Sequence, residues 1–146
     1  MPKVVFLVGL CGAGKSRKAE EMEKSEGYVS VEGIHGNLKE FLKLTDSLRA
    51  GKDCVAEEFQ TISPAYRAWI KDWLEKGIPG VTVEFWFFDK DLVKLTRNVL
   101  SRPDGDKRIQ DHLHINMNNF HLYEIPTDPP PVILQIDPPT PYKAKP

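Results

Sequence analysis

The residues Gly9-Leu10-Cys11-Gly12-Ala13-Gly14-Lys15-Ser16 fit the pattern G-x-x-x-x-G-K-[ST] without a gap. The spacing has a chemical reason. A polyphosphate is met by several backbone N–H groups pointing into one concavity, and only a chain with little side-chain bulk curls that tightly. Gly9, Gly12 and Gly14 supply the freedom. Lys15 would set its ammonium against the β- and γ-phosphates, Ser16 would offer its hydroxyl to Mg²⁺, and the start of a following helix would add its dipole to the same anion site. The candidate nucleotide-binding residues are therefore Gly9, Gly12, Ala13, Gly14, Lys15, Ser16 and Arg17. The implied ligands are a nucleoside triphosphate, ATP, and Mg²⁺.

An acid near the metal has more than one candidate. Phe85-Trp86-Phe87-Phe88-Asp89 has the form of an apolar run ending in a carboxylate, and Cys54-Val55-Ala56-Glu57, followed by Glu58, is a second such place. Asp89 also suits a helix N-cap, a role that needs no catalysis. Neither N-K-x-D nor D-x-x-G occurs, which argues against a GTPase with the usual base-reading and switch motifs. Asp111, His114, Asn118 and His121 would share a face if their segment is helical, with His112 adjacent, a weaker candidate for metal binding than for a solvated surface. Cys11 inside the loop reads as a plain small residue.

These residues need elements to hold them. Lys3 to Val8 is β-branched and aromatic without polar alternation, as suits a central strand buried on both faces of a parallel sheet, and the series from Arg17 to Lys24 forms a helix. Tyr28 to Val31 reads as a short strand ending at Glu32. Asn37 caps a helix from Leu38 to about Ala50, and Gly51 closes it. Cys54-Val55-Ala56 is a weak strand ending at Glu57-Glu58. Ser63-Pro64 starts an amphipathic helix whose stripe Tyr66, Trp69, Ile70, Trp73 and Leu74 predicts core packing for both tryptophans. Val81 to Phe88 is a further strand; Asp89 or Asp91 opens a helix to Arg102; 104–121 is polar without a strong apolar face; and Val132 to Ile136 is a last strand. Alternation of strand and helix predicts a doubly wound, parallel five-stranded sheet of P-loop NTPase type, a three-layer α/β/α arrangement. Gly9, Glu32, Glu57, Glu58 and Asp89 then fall at carboxyl ends of strands, where ligands bind in such sheets.

The order of these features resembles the small P-loop kinases of the polynucleotide kinase and zeta-toxin type over about residues 3 to 136. The resemblance rests on the P-loop, an acid after the second strand, an acid after the third, a Ser-Pro helix carrying Arg67 and a Trp, and then spaced arginines. It implies a kinase-like fold and transfer of the γ-phosphoryl group to a hydroxyl. It also implies that Glu32 acts as base toward the acceptor, that Glu57 or Glu58 stands near the metal with Ser16, and that Arg97 and Arg102, with Arg108 a further candidate, are lid arginines. On this reading Asp89 is a cap. The catalytic set so implied is Lys15, Glu32, Arg97 and Arg102. Two departures stand out: the family's Asp-x-Thr is Glu57-Glu58-Phe59-Gln60 here, and both family aspartates are replaced by glutamates, one methylene longer.

Length and charge set bounds on these readings. With 146 residues the chain is expected to form one kinase-like domain over 1–137, with 103–121 as a lid or variable segment and 138–146 as a Pro-rich tail. The 20 Lys plus Arg against 21 Asp plus Glu give a formal net charge of -1, with no overall basic footprint for a long nucleic acid, though an oligonucleotide acceptor stays open beside small molecules and nucleosides. Two cysteines, no secretory pattern and no apolar run of membrane length predict a cytoplasmic protein without membrane association. No obligate protein partner is evident. Beside the kinase stand a nucleotide-binding regulator or degenerate kinase that binds ATP without productive transfer, and an ATP-hydrolysing assembly subunit that uses Asp89.

Overall fold

The computed structural model describes residues 1–139. The strands are β1 (Lys3–Val8), β2 (Val29–Glu32), β3 (Cys54–Glu57), β4 (Thr82–Phe88) and β5 (Val132–Leu134); the helices are α1 (Lys15–Glu26), α2 (Leu38–Arg49), α3 (Pro64–Gly77), α4 (Leu92–Leu100) and α5 (Asp106–Asn119), with a 3-10 turn at Phe59–Ile62. All strand pairs are parallel, in the order β2-β3-β1-β4-β5. The sheet is the one expected.

The order follows from burial. Val4 to Val8 are all fully buried, which only a central strand covered on both faces achieves, and β1 is that strand. From β1 the chain moves outward to the edge at β2, returns through β3, and crosses to β4 and β5. Right-handed crossovers put α1 on one face and α2 and α3 on the other, where the rings of Phe41 (α2) and Trp73 (α3) meet at 5.1 Å. The reversal of direction beside β1 creates the crevice at the carboxyl ends of β1 and β3.

Local signals place most helix ends. Asn37 caps α2 by accepting from the Glu40 N–H at 3.2 Å, and Ser63 caps α3 with Pro64 at its first position. Three expectations need correction, and one open stretch gains a structure. The cap of α4 is Asp91, which accepts from the Lys94 N–H at 3.1 Å; Asp89 accepts from its neighbour Lys90 instead. The polar stretch after residue 104, whose helicity the sequence leaves open, forms the regular helix α5, and it has no strong apolar face, as expected: Asn116 alone is buried. β5 is shorter than expected, although Ile136 beyond it is buried. On α3, Ile70 and Leu74 enter the core while Trp69 and Trp73 stay 54% and 39% exposed: two aliphatic residues fill the face toward the sheet, and the indoles lie along its flank. Among the described residues no helix is long and apolar enough to cross a membrane. The proline-rich tail falls mostly on residues 140–146, outside the described residues.

Candidate active site

The loop between β1 and α1 is shaped by Gly12 and Gly14, with φ of 90° and 102°, a left-handed conformation that L side chains rarely adopt. Two of its N–H groups are used internally: Cys11 N–H donates to Asn116 Oδ1 at 2.8 Å and Ala13 N–H to the Leu10 carbonyl at 3.2 Å. Those of Gly12, Gly14, Lys15, Ser16 and Arg17 have no partner among the described residues. Five donors thus stand open around the first turn of α1, where the helix dipole is positive. The Lys15 ammonium donates to the Gly9 carbonyl at 2.6 Å and lies 5.6 Å from the centre of the Phe59 ring. Burial pushes the pKa of Lys15 down, Arg102 adds to that, and Cys11, Glu57 and Glu58 oppose it. A phosphate entering the loop would supply the negative charge that this ammonium lacks.

Ser16 Oγ donates to Glu57 Oε1 at 2.8 Å. Glu57 ends β3, paired in register with Leu7 on one side and Glu32 on the other, so two carboxylates end adjacent strands about 4.8 Å apart along the sheet. Burial raises the pKa of Glu57 and the Glu32 charge raises it further, against the Ser16 hydrogen bond and Lys15. A divalent cation there would relieve this strain between charges. A serine hydroxyl beside a partly desolvated carboxylate is a donor set of the hard, oxygen kind that suits Mg²⁺.

The neighbouring acid does something else. Glu58 is 5% exposed, and its Oε1 accepts from the His35 N–H at 2.6 Å while Oε2 accepts from the Gln60 N–H at 2.9 Å. It fastens the loop after β2 to the 3-10 turn. Arg67, also buried, donates from Nη1 to the carbonyls of Thr61 (2.7 Å) and Ile62 (3.1 Å) and lies over the Phe87 ring. Glu32 is exposed on the edge strand, and its backbone N–H donates to Glu40 at 3.1 Å.

The arginines differ among themselves. Arg102 lies between α4 and α5, near enough for its charge to act on Lys15, and its Nη1 is 3.1 Å from His112 Nδ1. Arg97 is exposed and donates from Nε to Asn98 Oδ1 at 3.2 Å; Arg108 is exposed, 4.0 Å from Asp104; Arg17 is exposed, 4.0 Å from Asp137. Of these, Arg102 is the one whose charge helps to lower the Lys15 pKa. Asp111 and His114 are exposed on α5, His121 lies past its end, and no group of three or more His, Cys, Asp or Glu that could hold a metal exists among the described residues.

Three residues that sequence reasoning missed hold the loop from behind. Asn116, 1% exposed, accepts the Cys11 N–H and donates to the Cys11 carbonyl, both at 2.8 Å. Asn98 Nδ2 donates to the carbonyls of Gly12 and Asp137, both at 2.9 Å. The fully buried Tyr123 hydroxyl reaches the carbonyl of Val8 at 3.1 Å and that of Phe88, tying the carboxyl ends of β1 and β4 together. One signal existed for Asn98, an amide flanked by Leu95 and Val99 on the apolar side of α4.

Comparison with known proteins shows the same architecture. No protein-family model matches the sequence. Nor does any curated protein. Solved structures do: a fungal RNA kinase matches with a TM-score of 0.62 at 12% identity over 99% of this chain and 79% of that one. A gluconokinase from Sinorhizobium meliloti 1021 matches with a TM-score of 0.59 at 19% identity over 94% and 85%, and a sugar kinase from Janibacter sp. HTCC2649 with 0.59 at 17% over 93% and 86%. The chain has the fold that these P-loop kinases share.

Proposed function

We propose that the chain is an ATP- and Mg²⁺-dependent phosphotransferase that moves the γ-phosphoryl group to a hydroxyl of a small-molecule, nucleoside or oligonucleotide acceptor. The observation that carries this reading is the meeting of the five open N–H donors and Lys15 with the Ser16–Glu57 pair at the carboxyl ends of β1 and β3. The likeness to a gluconokinase, a sugar kinase and an RNA kinase supports it at the level of the fold.

Phosphoryl transfer asks a protein for positioning and charge neutralisation more than for covalent work. The open N–H groups and Lys15 would hold the β- and γ-phosphates in line. Ser16, with Glu57 behind it, would hold Mg²⁺, which when bound neutralises charge on the same oxygens. Glu58, engaged by His35 and Gln60, would set the loop that borders the acceptor side. Arg102 would stabilise charge spreading over the transferred group, with Arg97 second to it, and Glu32 would orient the acceptor hydroxyl and take its proton.

Incubation with γ-labelled ATP and a panel of sugars, nucleosides, amino sugars and short oligonucleotides tests the proposal. Transfer to one class is expected, abolished in Lys15→Ala and strongly reduced in Glu32→Gln; full transfer by Lys15→Ala would refute it. A second reading, a regulator that binds ATP without transfer, draws on the exposed edge position of Glu32. Tight MgATP binding with neither transfer nor hydrolysis across the panel would favour it.

A further inference from the structure

α5 turns one face toward the nucleotide loop. His112 and Asn116 are one turn apart on it; Asn116 grips both backbone groups of Cys11, and His112 meets Arg102. The grip on Cys11 fixes where α5 stands relative to the loop, and therefore where His112 stands.

The contact between Arg102 and His112 admits one protonation state. A guanidinium carries donors only and does not lose its charge in proteins. For Arg102 Nη1 to lie 3.1 Å from His112 Nδ1 in a hydrogen bond, Nδ1 must be the acceptor, which requires a neutral imidazole with its proton on Nε2. A protonated ring turns two donors outward, and the bond becomes a repulsion between two cations.

We propose that His112 is a positioning residue for Arg102: the neutral ring accepts the Nη1–H bond and aims the guanidinium toward the phosphate side of Lys15, and protonation of the ring releases it. The inference rests on the reading that Arg102 meets the γ-phosphoryl group. The charged groups facing His112 agree with it. Burial holds the imidazole pKa below its ordinary value, Arg102 and Arg108 push the same way, and Asp104 and Asp111 oppose them. The ring is therefore neutral at neutral pH and gains its proton only in acid.

The test needs no acceptor. The ratio of MgATP to MgADP affinity, measured by calorimetry at about pH 7.5 and at an acid pH where the NMR signals of the His112 ring show it protonated, reports on groups that meet the γ-phosphate, and a charged hydrogen bond to phosphate is worth roughly tenfold. Arg102→Ala should lower the ratio about tenfold at both pH values. The wild type should lose a similar factor on acidification. His112→Gln, whose amide oxygen still accepts but does not titrate, should keep the ratio at both, which also subtracts any titration of the nucleotide. His112→Ala should be low at both, and adding it to Arg102→Ala should change nothing further. If Arg102→Ala lowers the ratio but the wild type and His112→Gln respond to pH alike, or if Gln and Ala at 112 behave alike, the positioning role is refuted while Arg102 keeps its place at the phosphate. An unchanged ratio in Arg102→Ala would overturn both. Loss of all nucleotide binding in Lys15→Ala is the control for the loop itself.

Discussion

Ser16 and Glu57, separated by 41 residues, share a hydrogen bond of 2.8 Å across the mouth of the loop. Their strand and helix termini are brought together by the β1–β3 register, in which Leu7 opposes Glu57. If this pair holds the metal, Ser16→Ala and Glu57→Gln should each weaken ATP binding ten- to a hundredfold or so when Mg²⁺ is present. In EDTA the variants and the wild type should bind ATP alike. Calorimetry in the two buffers separates a metal role from a general effect on the loop.

Glu57 also predicts a pH dependence. Its folded pKa is raised, chiefly by burial and then by the Glu32 charge, so the ligand-free fold holds this proton more tightly than the unfolded chain does. The contribution of Glu57 to stability is thus fully present below the ordinary carboxylate range and is lost as pH rises through the folded value. Glu57→Gln removes that loss. Thermal melts without ligand should show the variant gaining on the wild type between about pH 4 and about pH 7.5, by more at the higher pH. A gain that is equal at both would show that the carboxylate is not desolvated as described.

Asn116 joins two polar groups of Cys11 that would otherwise be left without partners. Asn116→Ala orphans both, at a cost of roughly 2–4 kcal/mol, or about 5–15 °C in Tm for a chain of this size. Asn116→Asp discriminates the two ends of the amide, since a carboxylate still accepts the N–H but faces the Cys11 carbonyl with a second acceptor. It should be no better than Ala. Both should also weaken nucleotide binding in the folded protein, because the loop loses its preset shape.

What was legible in the sequence follows from how each feature is encoded. The loop was legible because its shape is carried by backbone geometry, and the residues that permit it, Gly12 and Gly14 with positive φ, are fixed in type and spacing beside Lys15 and Ser16. The choice between Glu57 and Glu58 was not. Alternation along a strand sends the two to opposite faces, so one meets Ser16 and the other cannot, but which one depends on register with β1. Asn98, Asn116 and Tyr123 bond to main-chain groups 35 to 115 residues away, and a backbone partner leaves no trace in residue type. The tryptophans of α3 misled because periodicity finds a face but not how much of it the sheet covers.

Arg67 is one of the residues on which the resemblance to the small kinases rests, and its guanidinium is spent on the Thr61 and Ile62 carbonyls. Its variants should therefore change stability and leave MgATP affinity alone. Arg67→Met keeps much of the bulk and loses both bonds, at roughly 2–3 kcal/mol. Arg67→Lys should recover only part, because an ammonium does not reproduce the planar fork or its stacking on Phe87. A variant with native Tm and lost nucleotide affinity would move Arg67 into the site.

Gly12 and Gly27 both have positive φ, 90° and 73°, but they differ in what surrounds them. A Cβ on Gly27 meets nothing within 4 Å, whereas one on Gly12 would stand 2.7 Å from the Leu95 carbonyl and 3.1 Å from a Val99 methyl. Gly27→Ala should therefore show the conformational cost alone, about 1–2 kcal/mol. Gly12→Ala adds a backbone collision that only displacement of α4 relieves, and that displacement would pull Asn98 from the Gly12 carbonyl. It should destabilise by more than Gly27→Ala and reduce MgATP affinity, while Gly27→Ala binds as the wild type does. Denaturant melts and calorimetry on the two variants check this together. Equal costs at the two positions would mean that α4 does not press on the loop.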